Sequence, residues 1–412
     1  MKSFVKTPSL RFKEFNDNWT LQRIDSIFDR VTNQVNVVND SDYSQIGIRS
    51  HGKGIFYKDS VKGVELGNKR VFWLEEDLFI VNIVFAWEMA IAKTTTKEIG
   101  LIASHRFPMY RPKKDKLNLD FILYFFLRKR GKLILELASP GGAGRNKTLG
   151  QKEFLKSKIY ISNSVEEQEK IANFLTAVDT KIATLTKKKT LLEQYKKGVM
   201  QQLFSQKLRF KQADGSDYPE WERKRLGEIG ITLNGLTGKT KENFGLGKPY
   251  VQYKQIFDSS KINISNCDLV DVTENEKQTK VNFGDVFFTT SSETPNEIGT
   301  ASVLLDQVDE LYLNSFCFGF RVTDKVLNPH FSRFLFRAAI FRRKMIPLAQ
   351  GSTRYNISKS AFVKLEVFLP SIEEQTKIAN FLTAIDQKIE ATNTQIESST
   401  TFKKGLLQQM FV

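Results

Sequence analysis

Three groups of side chains are placed where they could touch a polyanion. The stretch IGIRSHGKGIFYK (Ile46 to Lys58) sets Arg49, His51 and Lys53 around Gly52 and Gly54. The glycines permit close backbone approach, and the three side chains offer donors for guanine edges or phosphates. The corresponding stretch of the second half, YVQYKQIF, carries Gln252, Tyr253, Lys254 and Gln255. Glutamine pairs bidentately with adenine, so Gln252 and Gln255 are candidate base readers. Each half also has a glycine loop, GGAGRNK and QGSTRYN, which collects Arg145, Asn146 and Lys147 in one and Ser352, Thr353, Arg354, Tyr355 and Asn356 in the other. Small residues with cations and amides suit the positioning of phosphates. Two polar clusters, Asn82 to Glu88 and Thr289 to Glu293, each directly follow a strand and add Trp87, Ser291 and Ser292. Trp87 could stack on or wedge beside a base, although tryptophan is more often core. The plain alternative for all these segments is a solvated polar loop.

The same residues give little support to catalysis. Cys267 and Cys317 are the only cysteines and there are three histidines, so no zinc constellation arises at the usual spacings. Asn328-Pro329-His330 begins like the Asn-Pro-Pro-Tyr motif of adenine methyltransferases but lacks the second proline and the aromatic. GLTGKT (Gly235 to Thr240) has two residues between its glycines where a phosphate loop has four. Asp271, Glu274 and Glu276, followed by Lys277, read as a solvated charge run. The expectation is a chain with no catalytic residues, no bound cofactor and no metal. The alternative is a self-contained DNA-binding nuclease with a concealed metal-dependent site.

The elements that must position these loops come from a duplication. EEQEKIANFLTAVDTKI at Glu166 returns as EEQTKIANFLTAIDQKI at Glu373, identical at 14 of 17 positions with an offset of 207. The offset persists from KKGVMQQLF at Lys196 to KKGLLQQMF at Lys403. Ser164 with Glu167, and Ser371 with Glu374, have the spacing of a capping box. Ile171, Leu175, Val178, Ile182, Leu185, Lys189, Leu192, Lys196, Val199 and Leu203 then step by four and three. The second copy runs Ile378, Leu382, Ile385, Ile389, Thr392, Ile396, Ser399, Lys403, Leu406 and Met410. That is a coiled-coil seam, with the other copy as its nearest partner. About 40 residues at ~1.5 Å each make a rod of about 60 Å. Gly198 and Gly405, at one register, predict a close approach of the two backbones.

Before each repeated helix the order of elements is the same while the residues diverge. A lead-in segment ends at Trp19 or Trp221, which should pin it to its domain. Short strands follow, expected at Tyr43 to Ile48, Asp77 to Val84, Met89 to Lys93 and His105 to Arg111. In the second half they are expected at Tyr250 to Phe257, Asp285 to Thr290, Gly299 to Leu304 and Phe316 to Val322. Phenylalanine-rich helices are predicted at Asn118 to Arg130 and Asn328 to Lys344, and last strands at Ser157 to Ile161 and Lys364 to Leu369. The fold class is α+β: two pseudo-repeated globular domains, 1–163 and 207–370, separated and joined by two long antiparallel coiled-coil helices, 164–206 and 371–412. The net charge of +16 points to a polyanionic partner. No apolar run approaches the ~20 residues that span a bilayer, the start lacks a signal-peptide core, and two cysteines suit a reducing cytoplasm. A cytoplasmic protein without a membrane role is expected.

These blocks and their order closely resemble the specificity subunit of type I restriction–modification systems, over essentially the whole chain. EEQxKIANFLTAxDxKI and KKGxxQQxF look like that family's two conserved helical regions, and GSTRYNIS looks like a loop it commonly has; GRNKTLG departs in detail. The divergent domains match its paired target recognition domains in position and length. The resemblance implies a non-catalytic subunit that reads a bipartite target in double-stranded DNA, one half-site per domain. It implies recruitment of two adenine methyltransferase subunits and two ATP-driven motor–nuclease subunits, which would hold S-adenosylmethionine, ATP and Mg. Two readers on a rod would contact sites about 34 Å apart, one helical repeat of DNA, so the rod should act as a ruler for the unread spacer.

Overall fold

The computed structural model describes residues 6–142, 147–352 and 354–412. The chain forms two compact units, Met1–Thr186 with Thr394–Val412, and Lys187–Asn393. Each takes one α+β domain together with part of each long helix, Val165–Phe204 and Ile372–Gln409.

In the first unit a four-stranded antiparallel sheet runs in the order Phe28–Val31, Met109–Pro112, Phe79–Val81, Ile91–Lys93. Phe79, Ile80 and Val81 are all buried. Successive side chains of a strand point to opposite faces, so Phe79 and Val81 enter one core with Phe121, Phe126 and Phe154, while Ile80 enters a second core with Ile46 and Met109. Behind that second core lies a further sheet, ordered Ile55–Lys62, Asp42–Ile48, Ile102–Ser104, Val71–Trp73, whose middle pair is parallel. The second unit repeats this plan. Gly230–Asn234, Cys317–Val322, Val286–Thr289 and Ala301–Val303 form the antiparallel sheet. Val286 and Phe288 face one core and Phe287 the other. Asp268–Val270, Phe244–Val251 and Tyr312–Leu313 form the smaller sheet, again with a parallel pair.

Two sequence expectations are revised here. The strand predicted for Tyr250 to Phe257 ends at Val251; Gln252 stays extended and caps a helix, Tyr253–Asp258, that buries Ile256. Each phenylalanine-rich helix is two helices: Leu119–Phe126 then Lys129–Leu137, and Pro329–Leu335 then Ala339–Met345. Arg128 and Ala338 adopt extended backbone at the breaks and let the chain fold back on itself. Gly131 marks the crowding, since a Cβ there would lie 2.3 Å from the Phe125 carbonyl oxygen.

The repeated EEQ block is what fastens each domain to its helix. Ser164 and Ser371 cap the Glu167 and Glu374 amides at 3.1 and 3.3 Å. The reciprocal half of the expected capping box is absent. The two glutamates are fully buried and turn instead into the domain. Glu167 accepts from Arg11 Nε at 2.6 Å and Trp19 Nε1 at 3.2 Å; Glu374 accepts from Arg209 Nη2 at 2.8 Å and Trp221 Nε1 at 3.2 Å. A buried carboxylate needs such partners, and the guanidinium supplies the charge. Gln168 and Gln375 complete the joint. Each accepts from an asparagine amide, Asn118 or Asn328, at 2.8 Å and donates to two backbone carbonyls. The lead-in and exit strands pair beside it, Thr20–Arg23 with Lys158–Ile161 and Glu222–Arg225 with Glu366–Leu369. Both tryptophans therefore hold the lead-in segment, as their matching places in the sequence suggested.

Within each unit the helix segments pair through the expected seam. Every residue of the two periodic rows is buried or half-buried. In the second unit Lys189 reaches Asn393 and Lys196 reaches Asp386, which makes the pairing antiparallel. In the first, Lys403 pairs with Asp179 at 2.6 Å, the counterpart of the Lys196–Asp386 pair one repeat away. Gly198 and Gly405 are not points of close approach among the described residues. A Cβ at Gly198 meets nothing within 4 Å, and one at Gly405 meets only the end of the Gln409 side chain at 3.9 Å.

Candidate nucleic-acid interface

In the first domain the candidate loops are tied into one surface. The hairpin turn between Asp42–Ile48 and Ile55–Lys62 holds His51, Gly52 and Gly54 at φ of 61°, 64° and 78°. His51 N–H donates to the Glu88 carbonyl at 2.7 Å, Gly52 N–H to the Met89 carbonyl at 2.9 Å, and Ser50 Oγ to the Glu88 carboxylate at 2.8 Å. The turn is thereby bound to the loop between Phe79–Val81 and Ile91–Lys93. Gly52 has no room for a side chain, because a Cβ would lie 2.1 Å from Leu127 Cδ2. The third loop joins through Leu149 N–H on the Ile83 carbonyl at 2.8 Å and through Lys147, whose ammonium lies 5.4 Å from the Trp87 ring centre.

Arg49, His51 and Lys53 are exposed, and Trp87 is half-buried with its Nε1 donating to the Val84 carbonyl. Trp87 is thus neither core nor free wedge, and Lys147 covers it. Arg49 leans over Phe56 at 5.3 Å. The structure brings Arg49, His51, Lys53, Trp87 and Lys147 together. Arg145 and Asn146 lie outside the described residues.

The second domain joins topologically equivalent loops with different residues. Tyr253 OH donates to the Ser291 carbonyl at 2.7 Å. Ser291 and Ser292 pair as a short ribbon with Asn356 and Tyr355, and Ile357 N–H reaches the Thr290 carbonyl. Arg354 is exposed and lies 5.9 Å from the ring centre of Phe316, itself 58% exposed. Lys254 is exposed and pairs with Asp258. The glutamine amides are engaged: Gln252 donates to Asp268, and Gln255 to the Asn263 carbonyl at 2.8 Å. Bidentate adenine pairing would have to displace those bonds; the exposed groups here are Lys254, Arg354 and Asn356. Ser291 and Ser292 are buried, and the Ser291 hydroxyl has no partner. Thr353 lies outside the described residues.

Phe316, Arg337 and Arg342 escaped sequence reading. Arg342 donates to the carbonyls of Gly299 at 2.6 Å, Ile298 at 2.7 Å and Asn296 at 3.0 Å. Arg337 does the same for Ala301 at 2.6 Å, Ser259 at 2.7 Å, Ile256 at 2.8 Å and Phe257 at 3.1 Å. Between them they hold the loop after Val286–Thr289 and the end of the Tyr253–Asp258 helix. Burial pushes Arg337 down to about 10, still charged at neutral pH, and lowers Arg342. RFLFRAAIFRRK shows the arginines, but Arg337 lies in the break between Pro329–Leu335 and Ala339–Met345, so helical spacing does not place it. Phe316 sits in a turn held by Asn314 Oδ1 and gave no pattern to read.

The family model described as the type I restriction modification DNA specificity domain matches this chain twice, over residues 17–194 and 218–399. The chain belongs to that family. It is a DNA specificity subunit with two such domains, of a family that works with other subunits and whose specificity chains are non-catalytic. The chain is 23% identical over 368 residues to the type I restriction enzyme MjaVIII specificity subunit of Methanocaldococcus jannaschii, covering 84% of this chain and 80% of that one. It is 24% identical over 308 residues to the putative MjaX specificity subunit of the same organism, covering 73% and 68%. Among solved structures, the HsdS subunit of Thermoanaerobacter tengcongensis matches with a TM-score of 0.53 at 15% identity, covering 95% of this chain and 96% of that one. The S subunit from M. genitalium matches with a TM-score of 0.57 at 16% identity, covering 99% of both chains. At those identities the structures bear on the fold of this specificity chain alone. Among its described residues no helix is long and apolar enough to cross a membrane, and no three of His, Cys, Asp and Glu converge to hold a metal ion.

Proposed function

We propose that the chain reads a bipartite site in double-stranded DNA, one half-site per domain. It recruits two adenine methyltransferase subunits and two motor–nuclease subunits, which hold S-adenosylmethionine, ATP and Mg in the cytoplasm. The observation that carries this reading is the pair of three-loop surfaces on one sheet plan. The joint beneath them repeats its buried glutamate with arginine, tryptophan, glutamine and asparagine partners, while the exposed side chains differ. An identical mount with different contacts suits two unlike half-sites. Arg49, His51, Lys53, Trp87 and Lys147 are the contacts proposed for one, and Lys254, Arg354, Tyr355, Asn356 and Phe316 for the other.

A map of modified adenines in cells with and without the chain tests this. A split motif that vanishes with the chain supports the reading, and an unchanged map overturns it. Purified chain with Mg²⁺ should leave DNA uncut; cleavage by the chain alone would favour the nuclease alternative. Co-purification should give two methyltransferase subunits per chain, against which a stable one-to-one complex would count.

A further inference from the structure

Each unit contains a basic cleft that the base-reading surfaces do not account for. In the first it has a volume of ≈ 630 Å³ and is lined by Arg128, Lys129 and Arg130 of the broken aromatic helix and by Lys403 and Lys404 of the second long helix. In the second it is ≈ 520 Å³, with Arg333, Arg337 and Arg342 facing Lys196 and Lys197 of the first long helix. The long-helix sides are one repeat apart: Lys196, Lys197, Met200 and Gln201 correspond to Lys403, Lys404, Leu407 and Gln408. The other sides are the corresponding broken aromatic helices, and each supplies arginines, though at different positions along them.

The charge in these clefts is only partly answered. Asp386 matches both Lys196 and Arg333, Asp179 matches Lys403, and Glu193 lies on the second rim. Lys197 and Lys404 are exposed, with no ion pair among the described residues. Arg128 lies between the rings of Phe125 and Phe411, 4.7 Å from each; its Nη2 donates to the Val412 main-chain oxygen at 3.0 Å, while its Nε is buried without an acceptor. Arg337 and Arg342 are held by carbonyls and, among the described residues, meet no carboxylate at bonding distance. Burial disfavours such cations unless an anion arrives.

Resting on the bipartite reading above, we propose that these clefts bind phosphates of the duplex backbone beside each half-site. Two features select this occupant. The long-helix side is repeated although the reading loops diverge, so its ligand must be indifferent to base sequence. The clefts also adjoin the reading loops: His51 and Met89 line the first, and Ser260 and Asn296 the second. Phosphate contacts of this kind fix register while base contacts choose the sequence.

The test is the salt dependence of binding by the full-length chain to a duplex carrying its mapped target, and to a scrambled duplex. Lys197→Gln and Lys404→Gln should each lower the slope of log affinity against log salt by about 0.9, and the pair by about 2. Cognate and scrambled duplexes should weaken by the same factor, with the methylated motif unchanged. An unchanged slope overturns the clefts, as does a loss confined to the cognate duplex. Intact DNA binding with lost co-assembly would overturn them in favour of an acidic protein partner. Wild-type chain that shows no preference for the split target would instead bring down the bipartite reading itself.

Discussion

The turn Arg49–Gly54 and the helix Tyr253–Asp258 occupy the same place in the same sheet topology, yet they present their candidate DNA contacts in opposite ways. In the first domain a glycine turn with three residues at positive φ is bound by its own amides to the neighbouring loop, and its cations point outward. In the second a short helix fills the place, its glutamine amides are bonded to neighbouring loops, and two arginines from behind hold the loops by their carbonyls. One scaffold thus accepts two backbone solutions, because the joint below depends on Glu167, Gln168 and their repeats rather than on the loops.

The largest test of that comparison is the joint. Glu167→Ala and Glu374→Ala each leave a partly buried arginine and a tryptophan N–H unpaired, at a cost of about 3–5 kcal/mol. Denaturant unfolding should give similar losses for the two variants, and a large difference between them would break the equivalence. Next, Arg342→Ala frees three carbonyls, at about 1–3 kcal/mol for a buried group left unsatisfied. Methylation mapping should show the second half-site relaxed and the first intact; relaxation of both would refute a local role. Gly52→Ala forces a Cβ onto Leu127 and a left-handed backbone costing about 1–2 kcal/mol. It should weaken binding to duplexes altered in the second half-site as much as to the intact target, with the damage confined to the first half-site. Lys254→Ala should cost about 1 kcal/mol of affinity, read at the second half-site only.

The smallest effect separates the domains by pH. Glu276 is held at about 2, first by Lys239, and Glu310 at about 2, first by Lys248. Depressed carboxylates stabilise the fold above their unfolded value near 4.3 and lose that contribution as pH falls toward about 2. Lys239→Met should flatten the acid limb of the unfolding curve between those values, and an unaltered limb would show that the pair contributes nothing.

The sequence by itself determined the duplication, the helical seam and the tryptophan anchors. Each rests on local periodicity or on a repeat, and periodicity survives whatever the loops do. It also singled out the candidate loops, because glycine, polar residues and cations cluster visibly between apolar strands. Tertiary structure decided the rest. Glu167 and Glu374 carry the spacing of a cap, but burial beside an arginine from a distant segment outweighs a surface cap bond. Gln252 and Gln255 have the right side chains for adenine, yet partners from other loops occupy their amides. Whether Arg337 faces water, DNA or seven backbone carbonyls shared with Arg342 depends on where a broken helix folds back, and no spacing in the chain encodes that.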